Sequence, residues 1–270
     1  MPLSDPTQVI AALREAAARF IVPRYKKLAD EDVRTKGGAN NLVTIADEES
    51  ERFLEQVLPG LIPGSRVIGE EAAAKSDAVL DALATEDWVW IVDPVDGTAN
   101  FVNGRDLFCC MVALVRRGET AFGWIYDPLG VKTLWAEHGA GAFITRDGGD
   151  EARRQHMPPP PSDRLNDMVA ALYNKELSAL KGKFARIQWS GCAGHDYWAA
   201  TEGRLDVYAF RNLKPWDHAP GALIHTEAGG YTRLLSGERY NPAAQGQSGI
   251  LGAPNADIWT HIVEAWRREK

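Results

Sequence analysis

Trp88-Val-Trp-Ile-Val-Asp-Pro-Val-Asp-Gly-Thr98 is the stretch of sequence on which both the fold and the chemistry of this chain depend. Its first five residues are apolar without a break, which predicts a central β-strand buried on both faces. Two carboxylates, Asp93 and Asp96, follow directly in a tight turn. Pro94 fixes its own φ and biases the residue before it toward an extended conformation, so both carboxylates can face the same side. The turn can also direct the Val95 carbonyl inward.

Oxygen ligands of this kind are those that hard cations such as Mg²⁺ prefer, so the segment is a candidate metal site. Asp-Pro and Asp-Gly are also ordinary turn-forming pairs, and most such pairs serve only that purpose. On this segment alone, a metal site and an ordinary turn are equally favoured, and both interpretations stay open.

Two further acidic positions lie outside this stretch. Glu70 and Glu71 follow a short apolar strand, and clustered carboxylates are tolerated mainly where a cation neutralises them or water solvates them. Considered one at a time, Glu70 and Glu71 are each expected to be solvent-exposed, and this expectation is stronger for Glu71. Asp217 lies at the start of a helix that carries Pro220 in its first turn, where the simplest role of an Asp is that of an N-cap.

The composition excludes several classes of partner. The chain has 270 residues, 45% of them hydrophobic, which is enough for one sizeable core or two closely packed subdomains. A net charge of −7 argues against nucleic acid, and no apolar run approaches the roughly 20 residues of a membrane span. Cys109, Cys110 and Cys192 lack the spacing of metal ligands, so we interpret them as reduced, buried small hydrophobes. We therefore expect a cytoplasmic protein without a membrane or nucleic-acid partner.

The pattern of strands and helices changes near the middle of the chain. Short apolar segments between Leu107 and Trp135, separated by turn sequences, predict an antiparallel meander. Beyond Pro161, strands and helices alternate. The run from Arg146 to Pro161 concentrates Gly, Asp, Arg and Pro and is the best candidate for a subdomain junction. We predict an N-terminal α+β subdomain over residues 1–150, carrying Glu70 and the Asp93 motif, and a C-terminal α/β subdomain over 151–270, carrying Trp216-Asp217.

Three motifs together carry a resemblance to a known family. Glu70 within Gly-Glu-Glu, the segment Asp93-Pro-Val-Asp-Gly-Thr98 and Trp216-Asp-His-Ala-Pro-Gly221 occur in this order and at these separations. This combination resembles the inositol monophosphatase family, and the resemblance extends over nearly the whole chain. It implies an α/β fold of alternating α-β-α-β-α layers and a Mg²⁺-dependent phosphomonoesterase. It also implies two or three Mg²⁺ ions, a homodimer, and a small phosphorylated metabolite as substrate.

The resemblance assigns roles to individual residues. The metal ligands that it implies are Glu70, Asp93, Asp96, Asp217 and the Val95 carbonyl. Glu70 and Thr98 would hold the attacking water, and Asp47 would support Thr98. Asp47 lies three residues after Thr44, so a helix capping box is an alternative role, and both roles are compatible. The residues implied to meet the substrate are Gly97, Thr98, Gly191, Cys192 and Ala193.

Substrate choice is where the sequence departs from the inositol-specific pattern. Members that act on inositol phosphates usually carry an acidic residue seven positions before the aspartate of the Trp-Asp motif. Here that position is Phe210, followed by Arg211. A phenyl ring cannot accept hydrogen bonds from inositol hydroxyls, whereas a guanidinium can bind a second anionic group. A solvated Arg211 is the alternative.

Other functions remain compatible with the same motifs. Phosphatases for fructose 1,6-bisphosphate, histidinol phosphate or a nucleotide 3′-phosphate would use the same metal-binding core. A non-catalytic regulatory protein could also keep the fold, although the intact set of carboxylates argues against it.

Overall fold

The computed structural model describes residues 3, 5–35, 42–148, 151–244 and 246–269. The α-helices of this part of the chain are α1 (Thr7–Ala16), α2 (Ile45–Leu61), α3 (Glu70–Lys75), α4 (Ala82–Thr85), α5 (Thr98–Val102), α6 (Ala193–Thr201), α7 (Pro215–Glu227) and α8 (Ala256–Glu269). The strands are β1 (Val33–Thr35), β2 (Leu42–Thr44), β3 (Arg66–Gly69), β4 (Val89–Asp96), β5 (Cys109–Arg116), β6 (Glu119–Asp127), β7 (Lys132–Glu137), β8 (Gly141–Arg146), β9 (Arg153–Gln155), β10 (Val169–Leu172), β11 (Arg186–Ile187), β12 (Val207–Phe210), β13 (Tyr231–Leu234) and β14 (Ile250–Ala253). Shorter π and 3₁₀ segments are Ala17–Ile21, Val22–Arg24, Asp30–Asp32, Asp77–Asp81, Leu165–Asp167 and Lys175–Lys183.

A seven-stranded sheet in the order β3-β4-β5-β6-β7-β8-β9 forms the first half of the fold. Strand β3 runs parallel to β4, and every later neighbour is antiparallel, so the predicted meander is confirmed. All eight residues of β4 are buried, which confirms the predicted central strand. Its end differs from the prediction, because the strand continues past Asp93 to Asp96. Asp93 pairs with Met111 and Asp96 with Cys109, so β4 advances three residues while β5 advances two. The extra residue makes a β-bulge next to Pro94, which has no N–H to donate to β5.

A five-stranded sheet in the order β11-β10-β12-β14-β13 forms the second half. Strands β11, β10 and β12 are parallel, and β14 is antiparallel to both of its neighbours. Because α6 follows β11 and α7 follows β12, both helices begin at the carboxyl-terminal edge of these parallel strands. This is the edge at which α/β sheets bind ligands.

The helices complete five layers. Helices α1 and α2 cover the outer face of the seven-stranded sheet, and α6 and α7 lie between the two sheets. Helix α8 and the Lys175–Lys183 segment cover the outer face of the five-stranded sheet. The order α-β-α-β-α agrees with the predicted fold class. The middle layer is aromatic where α6 meets the second sheet: the rings of Tyr197 and Tyr208 contact edge to face at 4.7 Å between centroids.

The division of the chain into two subdomains at residue 150 stays a prediction. The predicted boundary at residue 150 lies in 149–150, outside the described residues. Strand β9, which follows it, pairs with β8 and belongs to the first sheet. After β9 the chain crosses to the second half, where the Met157 amide donates a hydrogen bond of 2.9 Å to the Ala228 carbonyl. We therefore propose that the division follows Gln155.

Candidate active site

The bulge at the end of β4 is held by hydrogen bonds of its own side chains. The Asp93 carboxylate accepts a hydrogen bond from the Val95 amide at 3.0 Å and is almost fully buried. The Thr98 hydroxyl donates to the Val95 carbonyl at 3.0 Å and also contacts an Asp47 carboxylate oxygen at 3.3 Å. These bonds fix the loop from both sides, so its oxygen atoms are held in place before any ligand arrives.

Gly97 allows the chain to turn between Asp96 and Thr98. Its φ of +85° lies in the left-handed region, where a side chain is strained. A Cβ at this position would come within 2.8 Å of the Leu107 carbonyl and 3.0 Å of the Cys192 Cβ. The turn therefore brings the backbone of the loop directly against the start of α6.

Asp47 lies in the first turn of α2 and carries two roles in the structure. It completes a capping box with Thr44, which confirms the helix start predicted there, and it contacts Thr98. Burial raises the pKa of Asp47 to about 7, and the negative charges of Glu70 and Glu71 add to this shift.

Asp217 is the third residue of α7, so the simple N-cap interpretation is wrong. The N-cap is Lys214, and its side chain makes no capping hydrogen bond. The helix begins at Pro215, a residue type that suits the first helical position, so Asp217 lies three residues beyond the N-cap and is too far inside to cap. Its carboxylate instead lies within hydrogen-bonding reach of Asp93.

Four carboxylates from three parts of the chain repel one another here. The pKa of Asp93 is raised well above its usual range by burial and then by Glu70 and Asp96, and that of Asp217 by burial and then by Asp96 and Glu70. Among the described residues, Asp93, Asp96 and Asp217 form no ion pair. Asp93 and Asp96 are buried, and Glu70 and Asp217 are half-buried. Acidic oxygen donors that raise one another's pKa in this way fit a hard divalent cation such as Mg²⁺.

The carboxylates do not converge on a single point. Asp96 turns toward the N-terminus of α6, where it accepts a hydrogen bond from the Gly194 amide at 2.6 Å. Asp96 instead lies close to Cys109 and Cys192. Among the described residues, these three form the cluster of acidic, Cys or His side chains whose potential metal-binding atoms all lie within 4.8 Å of one another. Like-charge repulsion accounts for this arrangement, because the amide at a helix start stabilises a carboxylate that its neighbours repel.

Glu70 is positioned by a residue that sequence reasoning missed. It begins α3, and the amides of Glu71 and Ala72, next along that helix, donate to the Glu51 carboxylate at 2.8 and 3.0 Å. Glu51 is buried, and a Cβ on Gly69 would come within 2.0 Å of its carboxyl carbon. The Glu51 carboxylate therefore ties the start of α3 to α2.

The prediction of an exposed Glu71 is wrong, because that residue, the second of α3, is only 7% exposed. A sequence signal for Glu51 exists. Asp47 and Glu51 are four residues apart on the face of α2 that also carries Leu54 and Leu58, and a carboxylate on the apolar face of a helix needs a buried partner.

We expect Glu51→Ala to destabilise the protein by about 1–3 kcal/mol, because it leaves the buried amide of Glu71 and the part-buried amide of Ala72 without this acceptor. The Mg²⁺ concentration for half-maximal activity should rise as well, since Glu70 loses its anchor. Urea unfolding and a Mg²⁺ titration of activity measure the two effects. Glu55→Ala, an exposed change on the same helix, is the control and should stay within about 0.5 kcal/mol. Equal stability of the two variants would contradict the anchoring role.

A cavity of about 480 Å³ opens beside the carboxylates. Five of the seven residues predicted to contact the substrate line it, and Gly97 and Thr98 do not: the five are Gly191, Cys192, Ala193, Phe210 and Arg211. Asp96 and Asp217 also line it, so the candidate metal ligands adjoin the cavity. Sequence reasoning missed Tyr173 and Lys175, which also line it. Tyr173 and Lys175 follow β10, and Phe210 ends the parallel strand β12, so all three lie at the same edge of the sheet. Residues that follow parallel strands at this edge are candidates for ligand binding, and this pattern could have identified both.

Comparison with known proteins identifies the family. The model of the "Inositol monophosphatase family" matches residues 4–269. The chain belongs to the inositol monophosphatase family. An inositol-1-monophosphatase of Caulobacter vibrioides is 32% identical over 96% of this chain and 99% of its own length. A fructose-1,6-bisphosphatase/inositol-1-monophosphatase of Thermotoga maritima is 29% identical over 87% of this chain and 88% of its own.

Solved structures agree with the fold. The extragenic suppressor protein suhB of Bartonella henselae superimposes with a TM-score of 0.80 at 27% identity, covering 97% of this chain and 98% of that one. The inositol monophosphatase family consists of phosphatases, and phosphomonoester hydrolysis is the activity of the present member. Every α-helix of the described residues is too short or too polar to cross a bilayer.

Proposed function

We propose that the chain hydrolyses its phosphomonoester with Mg²⁺ held by Glu70, Asp93, Asp96, Asp217 and the Val95 carbonyl, in a site for two or three ions. The observation that carries this proposal is the juxtaposition of the buried Asp93 and the half-buried Asp217 with Glu70 and Asp96, where burial and mutual repulsion raise the pKa of Asp93 and Asp217. Bound Mg²⁺ would supply charge neutralisation at the phosphoryl oxygens and lower the pKa of the attacking water. Asp96 would have to turn from the Gly194 amide to join the set.

The chain's own residues would orient the attacking water. The Thr98 hydroxyl donates toward Val95 and Asp47, so its lone pairs are available to accept a hydrogen bond from water held between Thr98 and Glu70. With its pKa raised to about 7 by burial, Asp47 can accept a proton through Thr98 near neutral pH. The water would attack phosphorus directly, without a covalent intermediate.

The phosphate would lie between two backbone segments. One is the loop at Gly97 and Thr98, and the other is the start of α6 at Gly191, Cys192 and Ala193. The N-terminus of an α-helix favours an anion through its amides and its dipole. The close approach of Gly97 to Cys192 supports the proposal that one phosphate can contact both segments.

The alcohol part of the substrate would occupy the cavity of about 480 Å³. Phe210 and Tyr173 stack at 5.2 Å between ring centroids and form one wall of it. Lys175 and Arg211 lie along the same cavity and are both exposed. An apolar wall beside two cations supports an alcohol with an apolar face and a second anionic group. Fructose 1,6-bisphosphate, histidinol phosphate and nucleotide 3′-phosphates remain alternatives.

Substrate choice is the experiment that tests this proposal. We expect kcat/KM for inositol 1-phosphate to lie about tenfold to a hundredfold below that of at least one phosphomonoester with a second anionic group, because Phe210 accepts no hydrogen bond from a hydroxyl. Phe210→Glu should narrow the gap, whereas Phe210→Leu, which stays apolar, should not. Arg211→Gln should lower kcat/KM for the doubly anionic substrate alone. The proposal is wrong if inositol 1-phosphate is the best substrate of the wild-type protein.

The homodimer and the cytoplasmic location implied by the resemblance also stay proposals. Sedimentation of the purified chain measures the first, and fractionation of cells that express it measures the second.

A further inference from the structure

Two cysteines from different halves of the chain meet at Asp96. The Cys109 and Cys192 sulfurs are 3.7 Å apart, and both are within reach of the Asp96 Oδ2 atom, at 3.7 Å and 3.0 Å. All three side chains are buried. No sequence pattern pairs these cysteines, since they are 83 residues apart.

These separations match the ligands of one tetrahedral ion. Two sulfurs at Zn–S distances of about 2.3 Å are about 3.8 Å apart at the tetrahedral angle, and a sulfur and an oxygen about 3.5 Å apart. The cysteine sulfurs differ from the first value by about a tenth of an ångström, and the two sulfur–oxygen distances bracket the second. Two thiolates and one carboxylate are also a donor set that selects thiophilic cations over Mg²⁺.

Gly194 makes the room that this group occupies. A Cβ at Gly194 would come within 2.3 Å of the Cys109 sulfur and 3.0 Å of the Met111 sulfur, so any larger residue would displace the thiol. Cys192 and Asp96 both line the substrate cavity, which gives an ion a path of entry and leaves a fourth position open to water.

We propose that Asp96, Cys109 and Cys192 form a site for one thiophilic divalent cation of the zinc class. On binding, each thiol forms a sulfur–metal bond and releases its proton to solvent. An ion in this site takes Asp96 away from the Mg²⁺ ligands. Thiophilic cations would therefore inhibit hydrolysis in competition with Mg²⁺, a consequence that rests on the proposed function.

Binding is tested without activity, by titrating Co²⁺ into the reduced, metal-free protein and recording the thiolate-to-cobalt absorption in the near ultraviolet. We expect one equivalent in the wild type, displaced by Zn²⁺, and loss of the band in Cys109→Ser and Cys192→Ser. Cys110→Ser is the matched control and should keep the band, because Cys110 points to the opposite face of β5 and packs toward α2. Gly194→Ala retains every cysteine and should weaken binding at least tenfold. A folded wild type without the band overturns the proposal.

The inhibition arm compares the wild type with Cys109→Ser at several Mg²⁺ concentrations. The Zn²⁺ concentration that halves activity should rise with Mg²⁺ in the wild type, and should be at least tenfold higher in Cys109→Ser. Equal inhibition of the two proteins overturns the regulatory consequence. If the proposed Mg²⁺ site is wrong but the cation site is right, the cobalt band persists and the competition disappears.

Discussion

Asp93→Asn should lower kcat at least about a hundredfold while the protein stays folded. The change removes one negative charge from the position that faces Glu70, Asp96 and Asp217 at once. In the presence of a chelator the same change should raise the melting temperature, because the buried carboxylates of the metal-free protein repel one another. Loss of activity together with gain of stability is the signature of a residue whose charge serves a cation.

Steady-state kinetics at saturating Mg²⁺ and thermal unfolding in chelator measure the two effects. Asp81→Asn is the control, since this exposed carboxylate on the same half of the chain should change neither quantity. Activity above about a hundredth of the wild-type value would contradict a ligand role for Asp93. A lower melting temperature in chelator would show that Asp93 acts in the fold.

Asp217→Ala should shift the activation curve to higher Mg²⁺, by about a hundredfold or more, because it removes the carboxylate that faces Asp93. Asp217 is the third residue of α7 and caps nothing, so the melting temperature in chelator should not fall. A Mg²⁺ titration of kcat and a thermal melt separate the two roles.

The matched control is Asp257→Ala, an exposed acidic residue in the first turn of α8. It should cost no more than about 1 kcal/mol through the helix dipole and leave Mg²⁺ activation unchanged. If Asp217→Ala behaves in the same way, then Asp217 is a helix-end residue after all.

Local sequence was sufficient where one element decides the outcome. The uninterrupted apolar run of β4 predicts a central strand, and turn sequences such as Asp127-Pro-Leu-Gly130 separate the strands of the meander. The capping box of α2 was predicted for the same reason, since Thr44 and Asp47 are three residues apart.

Features that depend on distant residues could not be predicted in this way. The bulge at Pro94 depends on the register between β4 and β5. The role of Glu51 depends on the start of α3, whose amides it binds. Asp217 looked like a cap because its sequence neighbours suit one, and only the backbone path shows that the helix has already begun. The pairing of β9 with β8 could not be predicted, because β9 is too short to give a pattern.

Helix α7 lies between two sheets that are built from opposite halves of the chain. A folding intermediate with only one sheet would have nothing to hold Asp217 near Asp93, so it would be inactive however well its own sheet had formed. Contacts between residues so far apart in sequence form slowly, because a long loop must close first. Recovery of phosphatase activity during refolding should therefore lag behind the recovery of β-sheet circular dichroism and report the final docking of the two halves.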